Sequence, residues 1–350
     1  MLRFLLLVAM LGIFPLSSAL AQAAVGYREL DIADPVGERP LRATLWYPAI
    51  ARGKPETVGE DEIFYGVKAY RAAPTADETK RPLILLSHGF NGSWRNLSWL
   101  AVRLAEHGYV VAVPNHPGTS VMDMNSAEMG KLWERPHDIS RLIDALLVDT
   151  SSLGPIDSDR IFAIGHSLGA WTMVALAGGR FDARRFATEC HSRFDPFTCG
   201  LAQRLGISTS VEAETPLSAD MSDPRIGAFV TLDVAMARGF SPDSLARISK
   251  PFLIVNAGTE SGGLPAELES GYLAQHPPSD RIQSAQIPDA MHFSFTQRCK
   301  PNAEKLLSKN PDDVILCRDG GTVGRAAIHD QIIERILQFL AKASSLKTFG

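Results

Sequence analysis

Much that would mark a 350-residue chain for other roles is missing from this one. It has no Cys-x-x-Cys pair and no His-Glu-x-x-His, so its four cysteines and nine histidines lack the spacing of a metal site. No run of Lys or Arg interrupts a chain whose formal net charge is −4, which argues against nucleic acid or an anionic membrane as partner. No apolar stretch is long enough to cross a bilayer comfortably as a permanent helix. There is no internal repeat and no low-complexity tract, which excludes solenoid and biased-composition architectures. What remains, 45% hydrophobic and 21% charged, suits one globular domain with a substantial core.

The N-terminus stands apart. Met1-Leu2-Arg3, the apolar run 4–14 and Ala21-Gln22-Ala23 have the charged, apolar and small-residue regions of a secretory signal peptide. Cleavage is expected after Ala23, with Ala21 the second choice, leaving 24–350 as a secreted or periplasmic domain with no stable membrane anchor. Export implies an oxidising compartment. The simplest pairing is then two local disulfides, Cys190 with Cys199 and Cys299 with Cys317, each stabilising by roughly 3 kcal/mol if unstrained.

Residues 26–33 and 41–47 read as strands joined by a turn at 34–37, forming an antiparallel edge. Residues 51–80 are polar, without periodicity, and read as a long surface excursion. A regular alternation follows: strand 82–87, helix 94–106, strand 109–113, helix 136–148, strand 160–164 and helix 170–177. It resumes with strands at 226–232, 251–256 and 284–288 and a closing helix from about 325 to 341. Such alternation implies an α/β fold, a mostly parallel sheet covered on both faces. Residues 180–224 interrupt the rhythm and read as an insertion at the rim, a candidate lid; with Trp94, Met122 and Met124 it is expected to shape an apolar pocket.

The chemistry centres on Gly165-His166-Ser167-Leu168-Gly169, between a buried strand and a helix. That is the pattern of a strained turn that lifts a serine hydroxyl above a sheet, relieved of crowding by its glycines. A serine hydroxyl needs a base, and the base needs an orienting acid. His292 follows a strand and precedes the final helix, so it is the candidate base. His329 lies in a helical pattern and is assigned a surface or packing role. Two acids are placed at strand ends, Asp233 and Glu260. The oxyanion donors expected are the N–H of Leu168 and that of Phe90, in Ser87-His88-Gly89-Phe90. His88 and His166 are read as supporting residues.

The ordered set Ser87-His88-Gly89-Phe90, Gly165-His166-Ser167-Leu168-Gly169, Leu232-Asp233 and His292-Phe293-Ser294-Phe295, with Asn115-His116-Pro117-Gly118, resembles the α/β-hydrolase superfamily. More closely, it is similar to the exported proteins often labelled predicted dienelactone hydrolases, relatives of the platelet-activating-factor acetylhydrolases. In that group the acid follows the strand after the nucleophile helix, so the resemblance favours Asp233 over Glu260. True dienelactone hydrolases use a cysteine, whereas this chain has Ser167. The resemblance therefore implies a serine hydrolase of small-molecule carboxylic esters that needs no cofactor and no metal. Amide or peptide hydrolysis with the same residues is the alternative within enzymes, and a non-catalytic exported binding protein is the alternative outside them.

Overall fold

The computed structural model describes residues 24–34, 39–149, 153–207, 211–259, 264–278 and 280–346. The expected leader (1–23), most of the turn at 34–37 and the alternative acid Glu260 lie outside the described residues.

Among the described residues, ten strands form one sheet: β1 (Ala24–Ile32), β2 (Leu41–Ala49), β3 (Glu56–Val58), β4 (Val67–Arg71), β5 (Arg81–Ser87), β6 (Val110–Asn115), β7 (Ile156–His166), β8 (Ile226–Leu232), β9 (Phe252–Ala257) and β10 (Ile282–Ile287). Their order across the sheet is β10-β9-β8-β7-β5-β6-β2-β1-β4-β3. From β10 to β6 every neighbouring pair is parallel. β2 then runs antiparallel to both β6 and β1.

The central strands are apolar throughout because both faces are covered. On β5, Leu83 and Leu85 enter one core while Ile84 and Leu86 enter the other, the alternation a pleated strand imposes. Helices Glu134–Val148 and Leu168–Leu176 cover the first face, and Ser98–Glu106 and Arg325–Leu346 cover the second. Every residue of Leu168–Leu176 is buried. Its run Ala-Trp-Thr-Met-Val-Ala-Leu has no polar face because none of its sides meets water.

One expectation fails between 51 and 80. That segment holds β3 and β4, and β4 pairs in parallel with β1, so the sheet extends past the edge assigned to residues 26–47. The strands escape a pattern search because they are short and solvated on one side: Val58 and Ala69 are buried, whereas Glu56, Thr57, Lys68 and Arg71 are exposed.

Residues 180–224 carry helices Ala183–Ser192, Thr198–Arg204 and Val211–Ser218. An aromatic cluster seats this segment on the first face: Phe181 lies 5.6 Å from Trp171 and 5.4 Å from Phe240, ring centre to centre. The Cys190–Cys199 disulfide joins its first two helices, and Cys299–Cys317 closes the loop before the last helix. Among the described residues no helix is long and apolar enough to cross a membrane.

Candidate active site

The described candidates for nucleophile, acid, base and oxyanion donors lie beyond the carboxyl ends of the parallel strands, where open α/β sheets place their sites. Ser167 follows β7, Asp233 follows β8, and Phe90 lies in the turn after β5. His292 opens a short 3-10 turn, His292–Phe295, beyond β10.

Ser167 has φ +57° and ψ −119°, a backbone conformation that ordinary residues adopt at a cost. The surrounding backbone enforces it. A Cβ at Gly165 would run into the Gly169 carbonyl, and one at Gly169 into the Ser87 carbonyl, so only glycine lets β7, the helix start and β5 approach this closely. The Ser167 N–H donates to the Leu232 carbonyl at 3.0 Å, and the Ser167 carbonyl accepts from Ala170 and Trp171, which starts the helix.

The hydroxyl of Ser167 lies 2.9 Å from Nε2 of His292, and Nδ1 of His292 lies 2.6 Å from Oδ2 of Asp233. A carboxylate only accepts, so Nδ1 carries the proton and Nε2 is left to accept from the serine. Asp233 is itself fixed. Its N–H donates to Val255, and its Oδ1 accepts the Ala257 N–H at 3.0 Å. Like Ser167 it has a positive φ, +48°. All three side chains are nearly buried.

His166 secures the imidazole from behind. Burial pushes its pKa down to about 3, so the ring is neutral, and its Nε2–H donates to the His292 carbonyl at 2.9 Å. The loop beyond is held by the buried Arg325, which pairs with Asp319 at 3.1 Å and donates to the carbonyls of Gln297, Leu316 and Arg318. His329 is buried and stacks on Trp99 at 3.5 Å, a packing role.

Gly89, directly before Phe90, packs against the serine: a Cβ on Gly89 would lie 3.1 Å from that of Ser167. Leu168 is the first residue of its helix, so its N–H has no carbonyl one turn earlier to bond. Beneath the Phe90 turn lies a buried polar network that the sequence reading did not find. Arg135 donates to the His88 carbonyl, to Ser87 Oγ at 3.2 Å, to Thr119 Oγ1 at 2.5 Å and to Thr172 Oγ1 at 3.1 Å. Burial pushes this guanidinium down to about 9. Ser87 Oγ also meets His116, which bonds Asp138, which pairs with Arg39 at 2.9 Å. Burial pushes His116 down to about 3; it opposes the ionised form of Asp138, yet His116 and Arg39 hold that carboxyl well below the usual range. His88 is buried and neutral as well, linking the His116 N–H to the Gly89 carbonyl. A signal existed in the spacing: Arg135 lies four residues before Ile139 and Asp138 four before Leu142, which places both charges on the apolar stripe of their helix.

A second missed cluster ties residues 180–224 to the loop after Asp233. Arg238 pairs with Asp195, stands 3.0 Å from Cys199 Sγ and lies over the Phe186 ring. Thr198 Oγ1 lies 2.7 Å from Asp195 and 3.1 Å from Glu269 Oε1, and Glu269 Oε2 accepts the Ala237 N–H. Burial pushes the Glu269 carboxyl up to about 8. One hydroxyl hydrogen cannot serve two carboxylates; a protonated Glu269 donating to Thr198 resolves the count, with Thr198 donating to Asp195. From this segment Phe197 reaches His292, ring centres 4.7 Å apart, and Arg204 stands over Phe90 at 5.6 Å. Trp94, expected beside the pocket, is instead buried against Trp46 in the second core; Met122 and Met124 are exposed. Among the described residues no group of three or more His, Cys, Asp or Glu is arranged to hold a metal ion.

Known proteins share both sequence and shape with this chain. Two bacterial cutinases match it over 103 residues: cutinase est2 of Thermobifida alba at 30% identity and cutinase 2 of Thermobifida cellulosilytica at 29%. Each match covers 29% of this chain, and 31% and 36% of the two relatives respectively. The solved structure of a ferulic acid esterase from Streptomyces cinnamoneus superposes with a TM-score of 0.61, covering 93% of this chain and 91% of the other; at 20% identity that likeness shows the fold alone. The sequence model described as "Alpha/beta hydrolase family" matches residues 83–304, which span the strand leading to Phe90, Ser167, Asp233 and His292, and the chain therefore belongs to the alpha/beta hydrolase family.

Proposed function

We propose that this protein is an exported serine hydrolase of small-molecule carboxylic esters. The observation that carries the reading is the chain of contacts from Ser167 through His292 to Asp233, at 2.9 and 2.6 Å, in which a carboxylate at Nδ1 selects the tautomer that accepts from the serine. Ser167 Oγ attacks the ester carbonyl while His292 takes its proton. Asp233 keeps Nδ1 protonated and steadies the imidazolium that results. The Leu168 and Phe90 N–H groups receive the charge that develops on the carbonyl oxygen. His292 then protonates the leaving alcohol, and water releases the acid from the acyl-enzyme by the same route. Membership of the hydrolase family and the cutinase relatives support ester hydrolysis. The two disulfides fit the export read from residues 1–23.

The test is labelling with a small fluorophosphonate followed by peptide mapping. One adduct on Ser167 and parallel loss of esterase activity are expected. Ser167→Ala should lose roughly 10⁶ in kcat and keep its melting temperature; turnover retained by the folded variant refutes the assignment.

A further inference from the structure

If Ser167, His292 and Asp233 act as proposed, the alcohol half of the ester lies beside His292, because Nε2 of that ring hands it the proton. The neighbours of His292 therefore define the alcohol site. The buried His166 lies 4.7 Å away, centre to centre, and backs the ring. Phe197 meets the imidazole edge-to-face at 4.7 Å and Phe293 at 5.0 Å, and the two phenyl rings stand 6.4 Å apart. Both are half-buried, so neither is sealed inside the core.

Phe197 is not a loosely placed side chain. It directly precedes Thr198, whose hydroxyl and N–H both bond Asp195, and Asp195 pairs with Arg238 in the loop after Asp233. The disulfide at Cys199 holds the same turn from its other side. A ring fixed in this way is preorganised for contact. The Phe90 side of the serine differs, since it carries the guanidinium of Arg204.

We propose that Phe197 and Phe293 form the alcohol subsite, and that they select esters of a flat apolar alcohol of the benzyl type over esters of glycerol or a sugar. A third ring entering beside two phenyl groups gains burial and edge-to-face contact, whereas a polyol would trade its hydration for carbon surface.

The experiment compares kcat/KM for benzyl acetate and glycerol triacetate, which share an acyl group, and for benzyl acetate and benzyl octanoate, which share an alcohol. Wild type should prefer benzyl acetate to the triacetate. Phe197→Ala should cut that preference about tenfold, chiefly through KM, while the acetate-to-octanoate ratio moves less than about threefold. Phe197→Leu keeps apolar bulk without the ring and carries the test should the alanine variant misfold; its preference should fall by about threefold or more. An unchanged benzyl preference in either folded variant, or a change confined to the acyl pair, overturns the subsite. Fluorophosphonate labelling separates the two failures: a labelled, active enzyme with unmoved ratios refutes the subsite alone, whereas a wild type that neither labels nor turns over refutes both readings.

Discussion

The Ser167 N–H donates to the carbonyl of Leu232, the residue directly before Asp233, at 3.0 Å. Both turns take positive φ, and the bond locks one against the other across β7 and β8. Asp233 can thus be changed electronically with little change in its backbone. Asp233→Asn should lower kcat by roughly 10⁴, because an amide facing Nδ1 favours the wrong imidazole tautomer, and should shift the melting temperature by only a few degrees. Ester kinetics beside thermal melts check both halves; full activity in the variant would move the acid elsewhere, with Glu260 the next candidate.

Arg135 supports the Phe90 turn through four acceptors. Arg135→Met leaves those acceptors buried without their donor and should cost about 2–4 kcal/mol in denaturant titrations. Because the His88 carbonyl belongs to the turn that aims Phe90, kcat should fall further than KM rises. Methionine tolerated without loss in either measurement would reduce Arg135 to filler.

Glu269 gives stability a pH dependence whose sign follows from its upward shift. The unfolded chain releases this proton near the ordinary carboxyl value of 4.5, whereas the folded protein holds it to about 8. Across that window the native state binds a proton the unfolded state lacks, so stability falls as pH rises, by up to about 1.4 kcal/mol per unit from this group. Glu269→Gln mimics the protonated form and should flatten the slope. The variant should match wild type at pH 5 and exceed it at pH 8; parallel slopes in chemical denaturation would show that Glu269 is charged.

The Cys190–Cys199 bridge closes a short loop between two helices of the 180–224 segment. Replacing both cysteines with serine should lower stability by about 2–3 kcal/mol. It should also speed proteolysis at Arg193, which lies between them. Unaltered cleavage would mean that Asp195 and Arg238 hold the segment unaided.

What could be read in the chain divides along physical lines. Strands such as β5 and β8 are short apolar runs between turn residues, and a buried parallel strand has little choice but to look so. The candidate Ser167 is legible because its turn demands glycine on both sides and His292 because it follows a strand, whereas strand ends alone leave Asp233 level with Glu260 and only the family resemblance separates them. Arg238 and Glu269 are not legible, and Arg135 and Asp138 only through their place on the apolar stripe of a helix. A charged residue in an amphipathic helix or a loop reads as solvated, and what makes these four buried is a partner far away in sequence: Asp138 faces Arg39 across 99 positions, and Glu269 faces Thr198 across 71. β3 and β4 escaped for the opposite reason, being short and half exposed.

The bond from His166 to the backbone of His292 joins residues 126 positions apart, and Asp233 lies between them in the chain. The turn that carries Ser167 is thus synthesised well before the loop that carries His292. A chain ending before residue 292 carries Ser167 and Asp233 but no imidazole between them, and it also lacks the Arg325–Leu346 helix that covers the second face of the sheet. If Ser167 reacts as proposed, its labelling also reports that the chain has folded through its last helix.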